Sequence, residues 1–174
     1  MSTLFETVHG SHLYGLNHAK SDLDVYRVVS EKGKNYHRVK GKDDITIVSL
    51  DSFLRQAEKG VPQALEAMWS SNPSVDGIQA LRAGFRPNIP NALNTYSRTI
   101  FNFLKHPELK MMRHAVRLSM CLDDLYRYGA FDPTLNELDK MLILEFESTD
   151  QLEEAKAFCQ YLSPIELFRE SSSA

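Results

Sequence analysis

Two aspartates one residue apart, Asp22 and Asp24, follow closely on a glycine-serine pair, Gly10-Ser11. In a strand, residues two apart point to the same face, so both carboxylates can enter one space. Like charges held that close drive one pKa upward unless a cation neutralises them. Hard oxygen donors of this kind suit Mg²⁺, or Mn²⁺ in its place, shared with the phosphates of a substrate. Upstream, Gly10 permits a tight turn and a close backbone approach to a ligand. Ser11 adds a hydroxyl, and a helix starting there would direct its N–H groups at an anion. Each piece alone is ordinary: a turn after a strand, a solvated acidic strand end. Together they describe phosphoryl or nucleotidyl transfer.

Other candidates are weaker. Lys110, His114, Arg117 and Cys121 are spaced i, i+4, i+7 and i+11, which places them within an arc of roughly 60° on a helix. Leu109, Met112, Val116 and Met120 group on a different face, suited to a core. The basic stripe reads either as a solvated surface or as a cationic clamp for phosphates, with Arg113 at its edge. From Arg27 to Lys42 the chain carries Arg27, Lys32, Lys34, His37, Arg38, Lys40 and Lys42 against the single acid Glu31. Its part from Lys32 to Lys42 could guide an RNA or DNA acceptor, but a charged hairpin is the simpler reading; Tyr36 is the only aromatic within it, so no stacking platform is evident. His12, His18 and His37 match no standard zinc spacing. Trp69, beside Met68, reads as core.

The elements that must position these residues begin as strands: Leu4 to Val8, Leu23 to Val29, and Ile45 to Val48. Gly33, Asn35 and Gly41 mark a loop or hairpin excursion between the last two. Ser49 is a candidate N-cap for a helix through Phe53, Leu54 and Ala57 that Gly60 ends. Further helices are expected over Gln63 to Trp69, Val75 to Arg82, Ala92 to Leu104, Glu108 to Tyr128, Leu135 to Phe146 and Leu152 to Tyr161. A Pro/Asn-rich link, Arg86 to Asn91, separates the halves. Capping boxes at Thr134 with Glu137 and at Ser148 with Gln151 mark the last two helices. The order implies an α+β fold: a strand-rich core over 1–85, a helical subdomain over 86–170, and a frayed tail at 171–174.

The bulk properties are those of a globular chain of 174 residues with a net charge of −3, which argues against coating nucleic acid by bulk electrostatics. No signal-peptide pattern and no membrane-length apolar run is seen. Cys121 and Cys159 are isolated and read as thiols in a reducing compartment. A cytoplasmic location is expected.

The segment His9-Gly10-Ser11-His12-Leu13-Tyr14-Gly15, followed by Ser21-Asp22-Leu23-Asp24, resembles the signature of the DNA polymerase β-like nucleotidyltransferase superfamily. The small predicted nucleotidyltransferases of that superfamily share Gly-Ser-x-x-x-Gly and Ser-Asp-x-Asp. Further matches are Asp44-Ile45-Thr46-Ile47, Ser49-Leu50, Phe53-Leu54, Gly60-Val61-Pro62, Leu65-Glu66, and Lys110, His114 and Arg117, so the resemblance covers roughly residues 5–130. His9 is polar where an apolar or aromatic residue is usual, and Val61 stands where Asn is common. The resemblance implies a small mixed-sheet nucleotidyltransferase core and transfer of NMP from an NTP to an acceptor hydroxyl on RNA, tRNA, protein or a small molecule. Asp22, Asp24 and a third carboxylate would hold two Mg²⁺ or Mn²⁺ ions. Asp44 fits the third place best, with Asp43 its rival. Gly10, Ser11, Ser21, Lys110, His114 and Arg117 would bind the nucleotide and its phosphates. A homo-oligomer is compatible. The alternative within the same fold is an inactive nucleotide-binding or antitoxin-like module.

Overall fold

In a computed structural model, the chain is described over residues 2–33, 35–71, 78–106, 108–148 and 152–161. It has an α+β fold. The described residues form β1 (Thr3–His9), α1 (Gly10–Tyr14), β2 (Asp24–Val29), β3 (Tyr36–Lys40), β4 (Asp43–Ser49), α2 (Leu50–Glu58), α3 (Pro62–Trp69), α4 (Ile78–Gly84), α5 (Ile89–Leu104), α6 (Leu109–Tyr128), α7 (Glu137–Ser148) and α8 (Leu152–Tyr161). Two compact units divide the chain: Met1–Glu58, Gln63–Arg86 and Asp132–Leu135 make the first, and Lys59–Pro62, Pro87–Phe131 and Asn136–Ala174 the second.

The first unit is built on a four-stranded sheet in the order β1-β2-β4-β3. β1 runs antiparallel to β2, β2 parallel to β4, and β3 antiparallel to β4. The chain therefore passes out to the sheet edge as β3 before β4 returns beside β2. β3 is the element that composition hides: its flanking glycines, Gly33 and Gly41, both have positive φ and turn the chain at each end. The segment expected as a loop or charged hairpin is a hairpin, β3 turning into β4 at Gly41 and forming the charged sheet edge, as edge strands commonly do.

Strand alternation puts the aromatic core on one face of this sheet, while Val29 and Ile47 are buried on the other. Phe5 and Tyr26 meet Phe53 of α2 at ring distances of 5.1 and 6.2 Å. Val28 and Val48, on the same face, are buried with them. Each such side chain stabilises the fold by about 1.5–3 kcal/mol. Ser49 caps α2 as its sequence position suggests, its hydroxyl accepting the Ser52 N–H at 3.4 Å. Polar ties add direction to the apolar packing. Thr7 Oγ1 donates to Ser70 Oγ at 2.5 Å. Tyr14 Oη donates to Glu66 Oε2 at 2.9 Å within the core. Arg82 donates to the carbonyls of Met68 and Ser70, closing the end of α3. Trp69 is half-buried on Phe85, consistent with a packing role. Residues 72–77, part of the helix expected from Val75, lie outside the described residues; α4 begins at Ile78.

The second unit is helical. α5 starts earlier than the Pro/Asn-rich composition suggests, because Asn88 accepts the Asn91 N–H at 3.1 Å and Pro90 sits in the first turn, where its missing N–H costs nothing. α7 begins at Glu137, capped by Asn136 through the Asp139 N–H at 2.9 Å. Thr134 is therefore not the cap; its backbone is held by Asp132 instead. The expected box at Ser148 runs into Thr149–Gln151, outside the described residues, as does the expected tail at 171–174. α6 is contacted by α5, α7 and α8, so burial runs around most of its middle turns. Gly60, with φ +71°, lies so close to α5 that a Cβ there would stand 2.6 Å from Ala92 N. Among the described residues no helix is long and apolar enough to cross a membrane.

Two stability measurements follow from these contacts. Tyr14→Phe removes a buried hydrogen bond to the Glu66 carboxylate and is expected to cost about 1–3 kcal/mol in urea unfolding. Burial pushes the Cys159 thiol up from 9.0 to about 11. A pKa raised in the folded state gives stability that is complete below the unfolded value and is lost as pH climbs through the folded one. Unfolding free energy should accordingly drop between about pH 9 and 11, and Cys159→Ala should remove part of that slope.

Candidate functional site

The parallel ladder between β2 and β4 pairs Asp24 with Asp44, and the antiparallel ladder between β1 and β2 pairs Asp24 with His9. Cross-strand partners share a face, so His9, Asp24 and Asp44 form one row across the sheet, with neighbouring backbones ~4.8 Å apart. The row lies on the face that buries Phe5, Tyr26 and Val28, two residues beyond the last core position. It is half-exposed at Asp24 and Asp44 because the strands end there. Asp43 falls on the opposite face. The ladder register, not local sequence, separates it from Asp44.

Gly10 opens the space beside this row. Its φ is +61°, and a Cβ there would overlap Asp24 Oδ2 and lie 3.1 Å from its Cγ. The Asp24 carboxylate therefore rests against bare backbone at the β1–α1 junction, where Ser11 follows half-exposed. Gly15, at φ 73°, ends the short helix by sending its N–H to the Ser11 carbonyl. His9 is buried and stacks on Tyr26 at 5.0 Å, filling an aromatic's place with an imidazole. Burial raises the Tyr26 phenol well above its ordinary pKa, so it stays protonated.

Asp22 departs from expectation. β2 begins at Asp24, so strand alternation does not carry Asp22; it is exposed in the preceding loop. Pairing starts just after it, where the Asp44 N–H donates to the Leu23 carbonyl at 3.0 Å. Ser21 shapes that loop: its hydroxyl accepts the His18 N–H at 2.9 Å, and its own N–H returns to the His18 carbonyl at 2.9 Å. Among the described residues no three His, Cys, Asp or Glu side chains gather closely enough to hold a metal ion. What the fold supplies is a pair, Asp24 with Asp44, and Asp22 on an adjacent loop. A side-by-side pair of half-exposed carboxylates offers hard oxygen donors of the kind a divalent cation of the Mg²⁺ type takes.

One partner of the row escapes sequence inspection. His37 on β3 is two residues from Val39, which pairs with Asp44, so it shares the Asp44 face. Its Nε2 lies against Asp44 Oδ1 as an ion-pair contact, while the Asp44 side chain keeps 41% of its surface exposed. Reading residues 36–40 as a strand puts His37 and Val39 on one face, and the β3–β4 register brings that face to Asp44.

The helical candidates belong to the second unit. Lys110 is exposed, His114 is half-buried and stacks on Phe103 at 5.3 Å, and Arg117 and Cys121 are buried. The stripe is therefore not a solvated face: it descends from water into the helical core, because three helices surround α6.

No known protein-family model matches the chain, and no curated protein emerges as its relative.

The fit at Gly10 has a measurable consequence. Gly10→Ala combines left-handed strain of about 1–2 kcal/mol with a collision against Asp24, whereas Gly41→Ala, at φ +67° with nothing within 4 Å, carries the strain alone. Chemical unfolding should find the Gly10 variant the less stable of the two.

Proposed function

We propose that the chain is a metal-dependent nucleotidyltransferase, moving NMP from an NTP to an acceptor hydroxyl with release of pyrophosphate. The observation that supports it most is the pairing of Asp24 with Asp44 across parallel strands, directly beside the Gly10-Ser11 junction. The reading uses residues of the first unit. Asp24 and Asp44, joined by Asp22 from its loop, would hold divalent ions; such ions, when bound, neutralise the carboxylates and stabilise the entering and leaving oxygens. Ser11 and the backbone at the β1–α1 junction would bind the outer phosphates, beside the Asp24 carboxylate that the absence of a Cβ at Gly10 lets come near. Asp44 would take the proton of the acceptor hydroxyl as its oxygen bonds to the α-phosphorus and the bond to pyrophosphate breaks. We place this chemistry in the cytoplasm, where NTPs and Mg²⁺ are abundant.

The pair without a gathered third ligand favours one second reading: a nucleotide-binding module of the same architecture that does not turn over. The two readings differ in product. Under the enzyme reading, Mg²⁺ with an NTP raises the melting temperature, Asp24→Asn removes most of that rise, and an α-labelled NTP incubated with cell extract leaves label on an acceptor. A melting shift without label transfer or pyrophosphate release supports the module. No melting response to any of the four NTPs removes both.

A further inference from the structure

We infer that His37 is a positioning residue for Asp44, holding one carboxylate oxygen so that the other is presented toward the ligand side of the sheet. This rests on the reading of Asp44 as an acidic group of the transfer site.

Three observations converge. The first is the contact: His37 Nε2 meets Asp44 Oδ1, engaging one oxygen of the carboxylate. The second is register. β3 pairs with β4 in a continuous ladder from Tyr36↔Ile47 to Lys40↔Asp43, which puts His37 opposite Thr46 and diagonal to Asp44 on the same face. A diagonal neighbour lies ~7–8 Å away at Cα, within reach of an imidazole but beyond a short side chain. The third is topology. β4 is flanked by β2, bearing Asp24, and by the edge strand β3, bearing His37. Asp44 thus stands between the other carboxylate and the imidazole, each supplied by a different strand. The edge strand also has a structural duty, for Asn35 just before it accepts the Ser49 N–H at 3.2 Å. The position from which His37 reaches Asp44 is therefore tied to the start of α2.

Carboxylates that ligate ions are commonly oriented by an outer hydrogen bond, and removing such a partner typically costs 10–100-fold in metal affinity or activity. His37, in ion-pair contact with Oδ1, occupies that outer place beside Asp44. Its side chain is 56% exposed, so replacing it should not unsettle the core.

The test compares His37→Ala, His37→Gln and His37→Asn with wild type and Asp44→Asn. Two readouts are used: Mn²⁺ binding followed by electron paramagnetic resonance without nucleotide, and steady-state transfer from an NTP. His37→Ala should weaken Mn²⁺ binding, or lower kcat, by about 10–100-fold, with the KM for NTP little changed and the melting temperature held. His37→Gln, whose amide can reach Oδ1, should recover most of the loss. His37→Asn, with a shorter reach, should not, and it serves where alanine disturbs the edge strand. Tighter Mn²⁺ binding in His37→Ala would overturn the inference, since His37 would then be a competitor for the carboxylate. Equal behaviour of all three variants and wild type would overturn it too. If wild type transfers nothing while Mn²⁺ binding still depends on His37 and Asp44, the transfer reading falls and the positioning role stands. If wild type binds no Mn²⁺, both fall.

Discussion

The register between two parallel strands governs this molecule's chemistry. Asp24 opens β2 and Asp44 lies near the start of β4, and the ladder sets them side by side. A one-residue slip would put Asp43 there instead and send Asp44 to the other face. Such slips are resisted by the apolar side chain that moves with them: Val48, on the Asp44 face of β4, would leave its buried place beside Val28. The acidic row is thus held in place by hydrophobic burial several residues away, because alternation couples the two ends of each strand.

Adjacent carboxylates repel, and the fold eases this in several ways. The strands end at the row, so both groups keep partial access to water, where screening is strong. Gly10 brings backbone rather than side chain against Asp24. His37 meets one oxygen of Asp44. Below the row, Tyr14 with Glu66, Thr7 with Ser70, and Arg82 with the end of α3 fasten α1 and α3 within the same unit. These buried polar ties are directional, so they limit how the helices can shift beneath the sheet, which close packing alone does less well.

In the second unit α6 illustrates the opposite economy. Its sequence alternates basic and apolar positions as a surface helix would, yet Arg117, Ser119 and Cys121 are buried along with Val116 and Leu122. A helix contacted by three others has little outside left. Ser119 turns its hydroxyl back to the Ala115 carbonyl at 2.8 Å, and the Cys159 thiol of α8 bonds to Ser119, so these polar groups are satisfied within the helical core.

Much of this was readable from residue order. Hydrophobic periodicity marked three of the four strands and the long helices. The Gly10-Ser11 and Asp22-x-Asp24 spacing marked the acidic end of β2, and Ser49 marked the start of α2, because capping and turn chemistry act between near neighbours. Distant partners were not readable. The flanking glycines and charges of β3 suit a loop and a hairpin alike, and neither reading supplies the register that brings His37 to Asp44. The choice between Asp43 and Asp44, the departure of Asp22 from the strand, and the burial of Arg117 each depend on what packs or pairs from elsewhere in the chain. Local sequence specifies torsions and amphipathic faces; which faces meet, and in what register, is decided only when the whole apolar surface is buried at once.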